Sequence, residues 1–177
     1  MRLNPETDIT AEYIVNKYKE KEIADIIYQF GEDRSSRIIA KRIIEERPFH
    51  TCKELGDLIK KIYAKGSNGK TFRIHPATKT FQALRIAVNS ELDVLSEVLD
   101  FSPEVYAEGA RIVVISFHSL EDRIVKNIFR EYKAGKNGIK LEILTKKPLI
   151  ATEEETDMNL RSRSAKLRAG NIAYNKD

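Results

Sequence analysis

Apolar residues recur at helical spacing through the first half of the chain and in continuous or alternating runs through the second. Ala11 to Tyr18 and Lys21 to Phe30 predict two helices, with Gly31 where a C-terminal cap belongs. Arg34 to Glu46 predicts a third, with Ile38, Ile39, Ile43 and Ile44 on one face, stopping before Pro48. Thr51 and Glu54 spell a capping box, after which Leu55, Leu58, Ile59, Ile62 and Tyr63 repeat at i, i+3, i+4, i+7 and i+8. A basic loop, AKGSNGKTFR, follows. Beyond His75 and Pro76 the helical pattern resumes from Thr78 to Leu99, long enough to bridge two structural units. The expected division is 1–77 and 78–177.

The second half is patterned differently. RIVVISF, Arg111 to Phe117, is a continuous apolar run after a turn at Gly109, which predicts a strand buried on both faces. Ser119 is placed to cap the next helix, whose core face is Ile124, Val125, Ile128 and Phe129. Ile139 to Thr145 alternates as a second strand, and Ala165 to Ala169 as a third, weaker one guarded by charge at a sheet edge. Thr152 and Glu155 mark a short acidic helix between them. The fold class is therefore α/β: a helical unit followed by the tail of a sheet.

Composition narrows the function classes. Of the 177 residues, 41% are apolar and 33% charged, which suits a folded globular chain rather than a disordered one. No apolar run approaches the roughly 18–20 residues that span a bilayer. Cys52 is the single cysteine, so a reducing cytoplasm is the expected location. Three histidines and that cysteine are too scattered for a structural zinc site. The net charge of +4 is modest, but its distribution is not. No acid occurs between Asp57 and Glu91, whereas Lys60, Lys61, Lys65, Lys70, Arg73, Lys79 and Arg85 do. A second basic stretch, RSRSAKLR, runs from Arg161 to Arg168. Such asymmetry is the footprint of a polyanion-binding face, and it also fits a merely solvated surface.

Three segments carry candidate chemistry. His75, Thr78, Lys79, Thr80, Gln82 and Arg85 cluster around a helix start, where amide and hydroxyl donors can bind phosphate. Lys79, Gln82 and Arg85 share a face at spacing three, which equally describes a polar, solvated stripe. ISFHSLEDR lies where a strand meets a helix, the ligand-binding edge of an α/β sheet, and puts Ser116 and His118 toward a substrate pocket. Its Ser116, His118, Ser119 and Asp122 also invite a hydrolase triad, although the Gly-x-Ser-x-Gly elbow is absent. Arg161, Arg163 and Lys166 are candidate phosphate contacts in or beside the last strand. The glycines, at 31, 56, 66, 69, 109, 135, 138 and 170, form no GxG and no cofactor-cradling loop between strand and helix.

Read together, FGEDRSSRIIAKRIIEERP, HPATKTFQALRIAVNSEL, RIVVISFHSLEDRIVK, LTKKPL and LRSRSAKLRAGNIA closely resemble the bacterial 16S rRNA (cytosine-N4) methyltransferases, the RsmH/MraW family, over nearly the whole chain. The resemblance implies a Rossmann-like class I methyltransferase sheet, here its C-terminal strands, with a helical substrate-recognition insert before them, about residues 8–77. It implies transfer of a methyl group from S-adenosyl-L-methionine to N4 of cytosine 1402 in 16S rRNA. The family's glycine-rich cofactor loop has no counterpart here, so no cofactor-binding residue carries over, and Met1-Arg2-Leu3 resembles the turn after the last cofactor-side motif. The expectation is an incomplete form, inactive alone, that keeps the RNA-facing part and exposes a sheet edge to a missing N-terminal half or to another copy. The alternative is a non-catalytic RNA-binding fragment. Partners implied are 16S rRNA and the small ribosomal subunit, with no membrane.

Overall fold

The computed structural model describes residues 1–66, 72, 74–102 and 104–174. Residues 67–71 and 73 of the basic loop, with Lys70 and Arg73, lie outside the described residues. The chain is α/β and divides into two compact units, Met1–Glu91 and Leu92–Asp177, later than the 77/78 division drawn from the pattern. The reason is that the helix after Pro76 packs with the helices before it.

The first unit is helical: α1 (Ala11–Lys17), α2 (Glu20–Gly31), α3 (Ser36–Glu45), α4 (Cys52–Gly66) and α5 (Thr78–Asn89). Ile14, Ile23, Ile27, Ile39, Ile43, Ile59 and Leu84 are fully buried together. Each such side chain contributes roughly 1.5–3 kcal/mol by leaving water. The expected capping box starts α4: the Thr51 hydroxyl accepts from the Glu54 amide at 3.2 Å, and Glu54 Oε2 accepts from the Thr51 amide at 3.1 Å. Gly31 has a different duty from the cap read in the sequence. The left-handed residue is Glu32, at φ 47°, and Gly31 ends the helix where α5 comes closest. A Cβ on Gly31 would lie 2.8 Å from the Lys79 carbonyl oxygen. Asn89 ties down the first residues, accepting from the Leu3 amide at 2.8 Å and donating to the Met1 carbonyl at 2.9 Å.

The single helix expected from Thr78 to Leu99 is two. Ser90 adopts the left-handed conformation, φ 48° and ψ 38°, ending α5 before α6 (Glu91–Val98) begins. Periodicity alone misses this break, because apolar spacing continues through it.

The second unit adds β1 (Arg111–Ser116), α7 (Ser119–Ala134), β2 (Ile139–Ile143), β3 (Leu149–Ile150), α8 (Glu153–Met158), a 3-10 turn (Leu160–Ser164) and β4 (Lys166–Tyr174). The sheet order is β1-β4-β2, with β3 also on β4, and every pairing is antiparallel. The strand expected to be a weak, charged edge is therefore the central and longest one. Its pattern misleads because Lys166 and Arg168 point the same way as Gly170 and Ile172, toward α7, where an acid neutralises them. RIVVISF is likewise not covered on both faces. Ile112 and Val114 pack with Phe101, Val125, Phe129 and Leu141, whereas Val113 and Ile115 are 57% and 54% exposed. Among the described residues no helix is long and apolar enough to cross a membrane.

Candidate nucleic-acid interface

In the helical unit, the α5 N-terminus is a built turn. The His75 carbonyl accepts from the Thr78 amide at 2.9 Å and from the Thr78 hydroxyl at 2.7 Å. His75 Nδ1 accepts from the Ala77 amide at 3.2 Å, which leaves the proton of a neutral ring on Nε2. Ala77, at the cap position, has no side-chain oxygen, so among the described residues no side chain caps the first turn. Orphan amides at such an end suit an anion. His75 and Thr78 are exposed beside them.

The stripe behind this turn is more engaged than its spacing suggested. Lys79 Nζ donates to the Glu32 carbonyl at 3.1 Å and Gln82 Nε2 to the Phe30 carbonyl at 3.4 Å. Both satisfy carbonyls at the C-terminal end of α2, where cations and donors are favoured. Arg85 clamps Glu91 through Nε and Nη2 at 2.8 and 2.9 Å, while staying 48% exposed. Thr80 is fully buried, and its hydroxyl has no hydrogen-bond partner among the described residues. The six residues are thus neighbours, but Thr80 faces inward and three of the others also hold the protein together.

In the sheet unit the structure brings Ser116, His118 and Lys166 to the end of β1. Ser116 pairs with Lys166 across the sheet, and its hydroxyl donates to the Lys166 carbonyl at 3.3 Å. His118, not Ser119, caps α7: its Nδ1 accepts from the Glu121 amide at 3.3 Å. Glu121 Oε2 returns to accept from the Phe117 and His118 amides at 2.7 and 3.1 Å. Asp122 binds Arg168 at 2.7 Å and Lys166 at 3.4 Å, and the Arg168 guanidinium holds its carboxyl below the usual carboxylate range. Ser116, His118 Nδ1 and Asp122 are therefore engaged with the Lys166 carbonyl, the Glu121 amide and the Arg168 and Lys166 side chains rather than with one another. Arg161 and Arg163 are exposed on the 3-10 turn that leads into β4.

The described residues do not fit S-adenosylmethionine. The turn after β1, where a nucleotide or adenosyl group would use backbone amides, has those amides taken by Glu121. Gly31 and Gly170 are packing glycines, since a Cβ would meet Lys79 and Leu141 at 2.8 Å in each case. Gly109 stands in open space, but it precedes β1 rather than following it. What sequence reasoning missed is the largely enclosed Asp122–Arg168 pair, 46 residues apart in sequence, for which no local pattern gives a signal.

Residues 1–172 match the MraW methylase family. The chain is 56% identical over 169 residues to the ribosomal RNA small subunit methyltransferase H of Koribacter versatilis, covering 96% of this chain and 53% of that protein. It is 53% identical to the protein of the same name from Acidobacterium capsulatum, covering 96% and 55%. Against that of Synechococcus elongatus it is 50% identical, covering 95% and 54%. The chain thus spans about half the length of these curated relatives.

Proposed function

Because the chain belongs to the MraW methylase family, we propose that it serves in S-adenosylmethionine-dependent N4-methylation of a 16S rRNA cytosine, position 1402 by the family resemblance, and supplies the part that faces the RNA. The observation that carries this reading is the uncapped α5 N-terminus, set between exposed His75 and Thr78 in a 33-residue stretch without an acid. His75, Thr78, Lys79 and Arg85 meet phosphates there, while Gln82 ties α5 to the end of α2 and Thr80 packs inward. In the sheet unit Arg161, Arg163 and Lys166 add phosphate contacts, and Ser116 and His118 line the strand end. Phosphate contacts of this kind position an RNA and leave base choice to other groups. The helical unit then corresponds to the substrate-recognition insert, and β1, β4 and β2 with α7 to the closing strands of a Rossmann-like domain. Small-subunit RNA is the partner and the cytoplasm the location.

A bound methyl donor would supply an electrophilic methyl group, and the accepting amine would need a nearby proton acceptor. A second reading, RNA binding without catalysis by this chain alone, is favoured by the Glu121 carboxylate that fills the turn after β1. Salt dependence tests the shared element. Lys79→Glu with Arg85→Glu should weaken binding to a small-subunit RNA fragment and flatten the slope of log affinity against log salt by about 1.5. An unchanged slope assigns both side chains to protein structure alone.

A further inference from the structure

Six exposed cations of the sheet unit, with the enclosed Arg168, line one open groove of about 810 Å³. Lys126, Arg130 and Lys133 stand at i, i+4 and i+7 on α7, a single stripe of that helix. Lys140 comes from β2, and Lys146 and Lys147 from the turn between β2 and β3. All six are exposed, and none makes an ion pair or side-chain hydrogen bond among the described residues. Three other cations of the same unit are matched: Lys166 and Arg168 with Asp122, and Lys136 with Asp100 and Glu131. Among the described residues Glu142 is the one acid lining the groove.

The floor is apolar, from Phe129, Leu141 and Ile143, and the paired-lysine turn is fixed. The Leu144 and Thr145 amides donate to the Ala169 carbonyl at 3.0 and 3.3 Å, and the Thr145 hydroxyl accepts from the Ala169 amide at 2.9 Å. Like charges held this close repel within a Debye length of about 8 Å, a cost that a polyanion relieves. The α7 stripe alone is roughly 10 Å long, more than one phosphate can neutralise. Lysine along the open edge of β2 can also serve to discourage strand pairing. That role accounts for Lys140, but not for the α7 stripe or the anchored turn.

We propose that this groove is a second RNA-backbone site, separate from the α5 turn and the 3-10 arginines, that takes several consecutive phosphates along its rim. The inference rests on the reading of the chain as an RNA-facing partner, and on charge complementarity within one unit.

The test uses the full 177-residue chain and a fluorescently labelled 16S rRNA decoding-region fragment, with anisotropy followed across a series of KCl concentrations. Lys146→Ala with Lys147→Ala, and separately Lys126→Ala with Arg130→Ala, should each weaken binding roughly tenfold at low salt and reduce the salt slope by about 1.5. The charge-matched surface pair Lys17→Ala with Lys21→Ala should leave the slope unchanged. RNA should also protect Lys146 and Lys147 from acylation, read by mass spectrometry. If the chain binds RNA but the groove variants keep its slope, the groove proposal fails and the broader reading stands; an acidic protein is then the remaining occupant. If the unsubstituted chain binds no RNA, both fail together.

Discussion

Arg168, on the central strand, donates to both oxygens of Asp122 on α7, at 2.7 and 3.3 Å, with both side chains nearly enclosed. This pair is what allows a charged residue to face the core side of β4. Asp122→Asn leaves the guanidinium without its counter-charge and should destabilise the sheet unit by about 2–4 kcal/mol, somewhat under the range for a wholly dry pair. Because the Asp122 pKa is depressed in the folded state, its contribution is present above the unfolded carboxylate value and is lost as pH falls through the folded one. Urea unfolding should therefore show a gap between variant and parent at neutral pH that closes in acid. A gap constant down to strong acid would contradict the assignment.

Each unit also sets a tyrosine against an aspartate, Tyr132 buried and Tyr63 half-buried. Tyr63 donates to Asp33 at 2.6 and 2.7 Å, and Tyr132 to Asp100 at 2.7 Å and to the Phe101 carbonyl at 3.0 Å. Burial first, and the neighbouring carboxylate second, push both phenols up to about 12. A raised folded pKa stabilises below the unfolded value, near 10, and that stabilisation is lost as pH climbs through 12. Following tyrosinate absorbance against pH should show two of the seven tyrosines ionising late, together with alkaline unfolding. Replacing both by phenylalanine should remove the late phase, and its persistence would count against these two residues.

Gly31→Ala sets helix propensity against packing. Alanine favours the helix by about 1 kcal/mol, yet its methyl would press on the backbone oxygen of Lys79, which cannot swing away as a side chain would. We expect a net loss of about 1–2 kcal/mol in the helical unit. A rise in thermal midpoint would mean that α2 and α5 separate more easily than this contact suggests.

Val113 and Ile115 present an apolar stripe on the open face of β1, with Phe117 and Leu149 also more than half exposed. Such a surface on an edge strand seeks cover. Val113→Thr with Ile115→Thr should leave the fold intact and reduce concentration-dependent association in sedimentation. Hydrogen exchange should likewise protect residues 8–65 better than 110–177, and equal protection in a monomer would speak against an uncovered sheet.

Local signals in the sequence were dependable where the chemistry is local. The Thr51–Glu54 box and the Ile39, Ile43 and Ile59 core positions follow from spacing of three and four residues, and the structure keeps them, although Ile38, expected on the same face, is 59% exposed. Features set by distant partners were not legible. Ser119 looked like the cap of α7, but Glu121 reaching back over the turn makes His118 the cap. Lys166 and Arg168 read as edge-strand charges because Asp122 lies 46 residues from Arg168. The site divides the same way. His75 and Thr78 sit at the helix start that their order predicts, whereas the partners of Lys79, Gln82 and Arg85, and the burial of Thr80, depend on how α2 and α5 meet.

The function proposed above requires that this chain bind RNA without the methyl donor. Calorimetric titration of one preparation, first with S-adenosylmethionine and then with a 16S rRNA decoding-region fragment, addresses it directly. The account predicts no heat of binding for the donor and a salt-sensitive binding isotherm for the RNA. Tight binding of S-adenosylmethionine by the chain alone, or silence toward the RNA, would contradict it.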